Sequence, residues 1–494
     1  MVIRWRKAKT ALAVAIAVVL GLNLVQALHG CSGDSPTMGR FAEAVGMDPY
    51  SLNEDGSREL ARFNAVFTTY ASDPENTRQL KHFRDAYKRV RSAYVHPRTD
   101  GELMDAAIEG VEEDNPEPRS VPADELVEKA LDSMTASLDP HSAYLNPEEY
   151  REMNLVMSGQ FGGLGIKVMQ EEKLIKVISP IEGTPADRAG LKPGDLITHI
   201  DGNPVRDMSL REAVYAMRGE PGTNIRLTIA RAEDAPFDVA ITRAIVTVRP
   251  VNWRVEDDIG YLRIVSFNEK VEDDVADAMS EMREALGSKG RGLVLDLRNN
   301  PGGALDQSLA VADDFLEEGV IVSIRGRDPA RDHAFAAGSG DLAEGLPMVV
   351  LINAGSASAS EIVAAALQDH GRATVMGSRS FGKGSVQTVM RLPVDGALKL
   401  TTALYYGPNG ETIQASGVEP NIILDGMDTN PEFKREADLP GAIPERGHHS
   451  HPSKMTLDGK VCPAVGEDED RELGCAITLL RAGSTDRFLA ALGQ

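Results

Sequence analysis

From Val251 onward the chain alternates short apolar runs with amphipathic helical stretches, and this alternation restricts the fold more than any other feature. The runs cover 260–265, 292–297, 348–352 and 373–376. The helical stretches cover 271–286, 304–315 and 360–368. Continuous apolar runs of this length suit strands buried on both faces, and the intervening helices supply the cover. The expected core is α/β, a layered sheet with helices packed on it, over 248–425.

Two other textures precede the core. Over 158–247, Gly162, Gly163 and Gly165 open short β-like runs at 164–169, 174–178, 196–200 and 225–230, with one helix at about 209–217. That pattern predicts a small β-rich module. Over 31–157 the texture is helical. Apolar residues recur at helical spacing over 78–94 until Pro97 stops them, and further helices are expected at 102–111 and 123–137. An acidic, proline-containing break separates the last two. Residues 31–77 are polar with weak helical signals. After 425 the chain turns polar again, and 426–494 reads as an extension of unknown role. His448, His449 and His451 there have no acidic partner at ligand spacing and read as solvated loop residues.

The leader bears on the compartment. Arg4, Arg6, Lys7 and Lys9 precede an apolar stretch from Ala11 to Leu28. Residues 1–30 therefore read as a secretory signal peptide or a single-span membrane anchor, with lipidation at Cys31 as a third reading. All three place the body of the chain outside the cytoplasm, in the bacterial periplasm. Of three cysteines, Cys462 and Cys475 then remain, either as a short-loop disulfide or as two unpaired thiols. The formal charge of −23 argues against a nucleic-acid partner, which would demand clustered Lys and Arg.

Two segments carry candidate chemistry. In Asn353-Ala354-Gly355-Ser356-Ala357-Ser358-Ala359-Ser360-Glu361 a strand ends and a helix begins. A serine at such a turn stands above the sheet edge, near the positive end of the helix dipole. The competing reading is a capping box formed by Ser358 and Glu361. In Ser380-Phe381-Gly382-Lys383-Gly384-Ser385-Val386-Gln387 a lysine sits between glycines in apolar surroundings. With Gly377 this comes close to a phosphate-binding loop. However, Gly384 replaces the Mg²⁺-ligating hydroxyl, and a strand-forming run follows where a helix is needed. A desolvated lysine is instead a base able to take a serine proton.

The β-rich module carries its own signal. Consecutive N–H groups at Gly163, Leu164, Gly165 and Ile166 form a turn able to hold a terminal carboxylate, beside a strand edge open to an extended peptide. Together with Ser179-Pro180-Ile181-Glu182-Gly183-Thr184-Pro185-Ala186-Asp187-Arg188-Ala189-Gly190-Leu191-Lys192-Pro193-Gly194-Asp195 and Ile200-Asp201-Gly202, it resembles a PDZ domain of the bacterial protease type.

The two chemical segments, with Leu138-Asp139-Pro140-His141-Ser142, Leu295-Asp296-Leu297-Arg298-Asn299-Asn300-Pro301-Gly302-Gly303 and Thr402-Ala403-Leu404-Tyr405-Tyr406, resemble the carboxyl-terminal processing peptidases (tail-specific proteases). These are serine peptidases with a Ser–Lys dyad and a crotonase-like layered catalytic core. The resemblance implies Ser358 as nucleophile, Lys383 as general base and Gln387 as its orienting partner. It implies oxyanion donors at Ala359 and at Gly302 or Gly303. On a strand, 383, 385 and 387 would share a face, letting Lys383 meet Gln387. His141 is expected to be structural, and Arg218 to couple the PDZ-like module to the catalytic core. The reaction needs no cofactor and no metal. Expected partners are protein or peptide substrates, with an adaptor protein, a membrane anchor and self-association compatible with the reading. A non-catalytic peptide-binding scaffold and an acyl-CoA enzyme of crotonase type are the competing functions.

Overall fold

The computed structural model describes residues 51–494 apart from 115, 172, 182, 232–234, 248, 428–433, 445–454, 467–468 and 494. The leader, Cys31, His448, His449 and His451 lie outside the described residues.

The N-terminal region is built from α1 (Glu54–Tyr70), α2 (Thr77–Ala93), α3 (Asp100–Glu112), α4 (Ala123–Ala136), β1 (Ala143–Leu145) and α5 (Pro147–Met157). Helix α1 lies in a stretch where only weak helical signals were read. Its packing rests on Phe63 and Phe67, four residues apart and both fully buried, and Phe63 stacks on Phe83 of α2 at 3.5 Å. The acidic break does not loosen this region. A Cβ at Gly110 would stand 2.4 Å from the Ser133 Cβ, so α3 and α4 approach at backbone distance there.

The β-rich module follows. It contains β2 (Gln160–Gly163), β3 (Ile166–Glu171), β4 (Leu174–Pro180), α6 (Pro185–Arg188), β5 (Leu196–Ile200), β6 (Asn203–Pro204), α7 (Leu210–Met217), β7 (Asn224–Ala230), β8 (Phe237–Thr242) and β9 (Ala244–Thr247). The sheet order is β3-β4-β5-β7-β8, so β3 is an edge strand. Strands β2 and β9 pair with each other as a separate two-stranded ribbon. The chain thus enters and leaves the module side by side.

The core comprises β10 (Val251–Glu256), β11 (Ile259–Ile264), α8 (Val271–Leu286), β12 (Gly292–Asp296), α9 (Leu305–Asp313), β13 (Gly319–Gly326), β14 (His333–Ala337), β15 (Met348–Ile352), α10 (Ala359–Asp369), β16 (Ala373–Gly377), β17 (Ser385–Arg391), β18 (Ala397–Tyr406), β19 (Ile422–Asp425), β20 (Met455–Asp458), α11 (Arg471–Ala482) and α12 (Thr485–Ala491). One sheet runs β10-β11-β12-β15-β16-β19-β20, and every pair after β10–β11 is parallel. Strands β12 and β15 are buried at every position. One face carries α8, α9 and α10. The other carries α11 and α12. A second, antiparallel sheet joins β1, β13, β14, β17 and β18.

The C-terminal extension therefore belongs to the core. Its strand β20 extends the main sheet, and its helices cover a face of that sheet. Cys462 and Cys475 form a disulfide at the start of α11.

Candidate active site

Strands β12, β15 and β16 are parallel neighbours, so the loops after them leave the sheet at the same edge. This is where parallel sheets place ligand chemistry. The loop after β12 holds Arg298–Gly303, the loop after β15 holds Ser356–Ser360, and the loop after β16 holds Ser380–Gly384.

Three serines compete in the second loop. Ser356 is buried, donates to the Leu297 carbonyl at 2.8 Å and accepts from the Asn353 N–H at 3.0 Å. Ser360 is buried and donates to the Asn300 carbonyl at 2.9 Å. Both hydroxyls are committed to holding loops together. Ser358 is only half-buried and carries φ = 54°, an unusual value for a side chain with a Cβ. Such strain costs about 1–3 kcal/mol and persists only where surrounding contacts enforce it. The contacts here are the Ser358 N–H donating to Glu361 Oε2 at 2.8 Å and the Ser358 carbonyl accepting from Glu361 and Ile362 N–H. Ser358 and Glu361 also form the capping box that the sequence offered as the competing reading of this segment.

The Gly302 turn lies directly against this loop. A Cβ on Gly302 would stand 2.9 Å from both the Ser358 Cβ and the Ala359 N, so only glycine fits. The Gly302 N–H donates to Asn300 Oδ1 at 2.9 Å. The Ala359 and Gly303 N–H groups meet no acceptor among the described residues.

Lys383 sits in the turn before β17, and its ammonium makes no hydrogen bond or ion pair among the described residues. Burial lowers its pKa to about 8, helped by the like charge of Lys399 and opposed by Glu436, Glu361 and Asp139. Its backbone N–H donates to Glu361 Oε2 at 2.9 Å, the same oxygen that holds the Ser358 N–H. The other oxygen, Oε1, accepts from Ser380 Oγ at 2.5 Å and Gly382 N–H at 2.7 Å. Glu361 is fully buried. Its pKa is pushed up to about 7 by desolvation, which outweighs these four donors. No hydrogen bond joins Ser358 Oγ to Lys383 Nζ among the described residues.

The shared-face relation expected for 383, 385 and 387 holds only in part. The strand starts at Ser385, leaving Lys383 outside it, and a bulge between Val386 and Gln387 shifts the register against β18. Gln387 Nε2 donates to Ser385 Oγ at 2.9 Å and to Thr401 Oγ1 at 3.2 Å. Thr401 in turn donates to Asp139, which also accepts from Ser142, tying the Leu138–Ser142 segment to the site. His141 pairs with the buried Glu436 at 2.7 Å, and Glu436 Oε1 accepts from Gln414 Nε2 at 2.9 Å.

In the β-rich module, no strand among the described residues pairs with the edge of β3 away from β4. Leu164, Val177, Ala213 and Met217 belong to the buried core beneath it, with Ile166 and Val168 of β3 and Val214 of α7 packed at its margin. Gly165 has φ = 76°, and a Cβ there would meet Thr184 at 2.3 Å. Arg218 lies over the Phe161 ring at 4.7 Å, beside the Gly163–Ile166 turn. No hydrogen bond or ion pair links its side chain to the catalytic core among the described residues.

Comparison with known proteins completes the picture. The model of peptidase family S41 matches residues 258–424, and a PDZ domain model matches 176–231. A carboxy-terminal-processing protease of Bartonella bacilliformis is 44% identical over 421 residues, covering 84% of this chain and 91% of that protein. The carboxy-terminal processing protease CtpA of Bacillus subtilis is 33% identical, covering 68% of this chain and 67% of that protein. Among solved structures, a photosystem II D1 C-terminal processing protease is similar with TM-score 0.46 and 28% identity, over 70% of this chain and 93% of that one.

The chain belongs to peptidase family S41, the carboxy-terminal-processing proteases. It is a serine-type peptidase with a PDZ domain. Within this S41 framework, sequence reasoning missed three charged residues. Glu361 was read only as a helix cap. Its signal was a carboxylate inside the helical face of Ala359, Ile362 and Val363. Arg298 was passed over inside a turn motif, although it follows a strand with no other reason to end in charge. Glu436 had no signal, because it reaches the site from the extension.

Proposed function

We propose that this S41 peptidase is an exported endopeptidase. It captures carboxyl-terminal or extended segments through its PDZ domain and cleaves peptide bonds with Ser358 and Lys383, assisted by Gln387. The observation that carries the reading is Glu361 Oε2, which fixes the backbones of Ser358 and Lys383 at once while burial brings the lysine to about pH 8. A base of that pKa is half-neutral at about pH 8, where an ordinary lysine is almost wholly protonated.

Neutral Lys383 takes the proton of Ser358 Oγ as that oxygen attacks the substrate carbonyl. The developing oxyanion is met by the Ala359 and Gly303 N–H groups. Gly303 is preferred to Gly302 as the second donor, since the Gly302 N–H already donates to Asn300 Oδ1. Each donor of this kind typically contributes about 3–4 kcal/mol to the transition state. Protonated Lys383 then gives its proton to the leaving amine, and water deacylates Ser358 by the reverse transfer. With both Gln387 Nε2 protons engaged by Ser385 and Thr401, Gln387 Oε1 is left to accept from the lysine and aim its lone pair. Ser358 and Lys383 are not hydrogen-bonded here, so substrate or an adaptor has to bring Nζ onto Oγ, as apo peptidases often require.

Substrate pairs with the edge of β3 away from β4 and places its carboxylate at Gly163, Leu164, Gly165 and Ile166. The stacking of Arg218 on Phe161 of β2 supports a role for it in reporting occupancy. A Cβ on Gly159 just before that strand would meet Asn268 of the core at 2.5 Å. The cationic, apolar leader and the formed disulfide both support export to the periplasm.

The test compares residues 32–494 with its Ser358→Ala and Lys383→Ala variants on an unfolded protein substrate. Cleavage is expected only from the parent chain. Equal cleavage by the Ser358→Ala variant would remove the dyad.

A further inference from the structure

The C-terminal extension reaches the Gly302 turn through one guanidinium. Arg298 immediately precedes Asn299-Asn300-Pro301-Gly302-Gly303, and it is 8% exposed. Its Nε and Nη2 grip Asp296 at 2.9 and 2.7 Å. Its Nη1 and Nη2 grip Asp470 at 3.0 and 2.7 Å, and Nη1 also donates to Glu472 at 2.7 Å. Both carboxylate forks and the extra bond use the full donor set of the guanidinium, so the side chain cannot rotate without breaking a fork.

Asp296 is itself buried and held by the Tyr261 hydroxyl at 2.7 Å, with Arg263 at 4.0 Å. Asp470 and Glu472 belong to the other side of the clamp. Asp470 caps α11 by accepting from the Leu473 N–H at 2.9 Å. The start of that helix is anchored twice. Cys475 is disulfide-bonded to Cys462, and a Cβ at Gly474 would stand 1.7 Å from the Pro463 carbonyl oxygen. Arg471 adds a hydrogen bond to the Cys462 carbonyl at 2.7 Å. The helix start is thus a rigid support.

We propose that Asp470 and Glu472 are positioning residues for catalysis, holding the oxyanion turn in register with Ser358 through Arg298. The inference rests on the reading of Gly303 and Ala359 as oxyanion donors. A displacement of about 1 Å at a reacting centre can cost about a hundredfold in rate. Asn353 and the Ser356 and Ser360 hydroxyls hold the turn to the neighbouring loop, and Arg298 adds the charged hold that ties it to the extension. The clamp acts on the transition state and leaves the PDZ groove untouched, so kcat should fall and KM should not.

The experiment uses residues 32–494 with Asp470→Asn plus Glu472→Gln, which keeps shape and the helix cap but removes two charges. We expect kcat to fall at least about tenfold with KM within twofold of the parent. Affinity for a peptide boronate, whose adduct with the serine fills the oxyanion position, should fall in parallel. The conservative Glu472→Asp variant should recover most of the loss. Unchanged kcat in a folded double variant overturns the proposal. If the double variant shows no cooperative unfolding transition, Asp470→Asn alone is judged by the same criteria. Ser358→Ala separates the two readings. If it stays active the dyad itself fails, and if it is inactive while the double variant is unimpaired only the clamp fails.

Discussion

Lys383 leaves water without a hydrogen bond or ion pair among the described residues, and burial, then Lys399, set its pKa near 8 against an ordinary 10.5. The unfolded chain therefore holds this proton more tightly than the folded one. The resulting penalty is fully present below pH 8 and fades as pH rises through 10.5. At about 1.4 kcal/mol per pKa unit it amounts to about 3 kcal/mol. Lys383→Met should thus abolish turnover and yet stabilise the protein by about 1–3 kcal/mol at pH 7, with the gain gone by about pH 11. Urea denaturation at the two pH values checks this, and a destabilised Met variant at neutral pH would refute it. If Lys383 is the general base, as proposed, kcat/KM should rise with pH to half its plateau near pH 8. Below about pH 7 protonation of Glu361 should steepen the fall. Glu361→Gln turns one acceptor oxygen into an amide facing two fixed donors. We expect it to cost about 3 kcal/mol of stability and at least about tenfold in kcat. A variant with full kcat would show that the shared anchor is dispensable. The choice of Ser358 among three serines came from family resemblance. Its physical basis, two buried and committed neighbours, is tertiary and could not be read locally. Glu361 shows the same limit, since its remaining donors arrive from residues 380–383.

The elements that the sequence announced clearly are those with a full periodic pattern. The buried strands β12, β15 and β16 and the helices α8, α9 and α10 fall within a residue or two of expectation, because strands buried on both faces and long amphipathic helices leave unmixed signals. Of the antiparallel sheet only β17 was anticipated, as the strand-forming run after Gly384; β13 and β14 are mixed in burial and their pairing carries a bulge. The bulge at Val386/Gln387 also defeated the alternation argument that joined Lys383 to Gln387. The extension was illegible for another reason. Strand β20 has four residues, and the polar start of α11 reads as surface until Arg298 is placed against it. The disulfide there closes a loop with sequence separation 13. Replacing Cys462 and Cys475 together by alanine should cost about 3 kcal/mol. Thermal unfolding would register the loss, and an unchanged midpoint would mean that packing of α11 alone holds the loop. In the PDZ domain, Gly165→Val introduces a Cβ where φ is 76° and Thr184 already fills the space. KM for peptides ending in a free carboxylate should rise about tenfold or more, with kcat little changed, as expected when binding alone is damaged. An unaltered KM would move the carboxylate site elsewhere.

At the scale of the whole chain, the recognition module is an insertion with closely spaced ends. Gly163 pairs with Ala244 and Gln160 with Thr247, so β2 and β9 form the two arms of a hairpin whose tip is the PDZ domain. The catalytic loops, by contrast, hang from the parallel sheet and from the Leu138–Ser142 segment, none of which passes through that tip. Removing residues 164–243 and closing the ribbon with Asn-Gly, which suits a two-residue hairpin turn, should leave the core sheet and its site assembled. The intact protein should cleave peptides with a free terminal carboxylate at lower KM than the same peptides amidated. The shortened protein should cleave both equally, with turnover still lost on Ser358→Ala. If the preference for a free carboxylate survives the excision, the carboxylate is read by the catalytic core and the PDZ turn at Gly163–Ile166 has another task. If the shortened chain folds but is inactive towards both peptides, the PDZ domain is part of the catalytic assembly, and Arg218 and Phe161 become the first contacts to test as the route between the two.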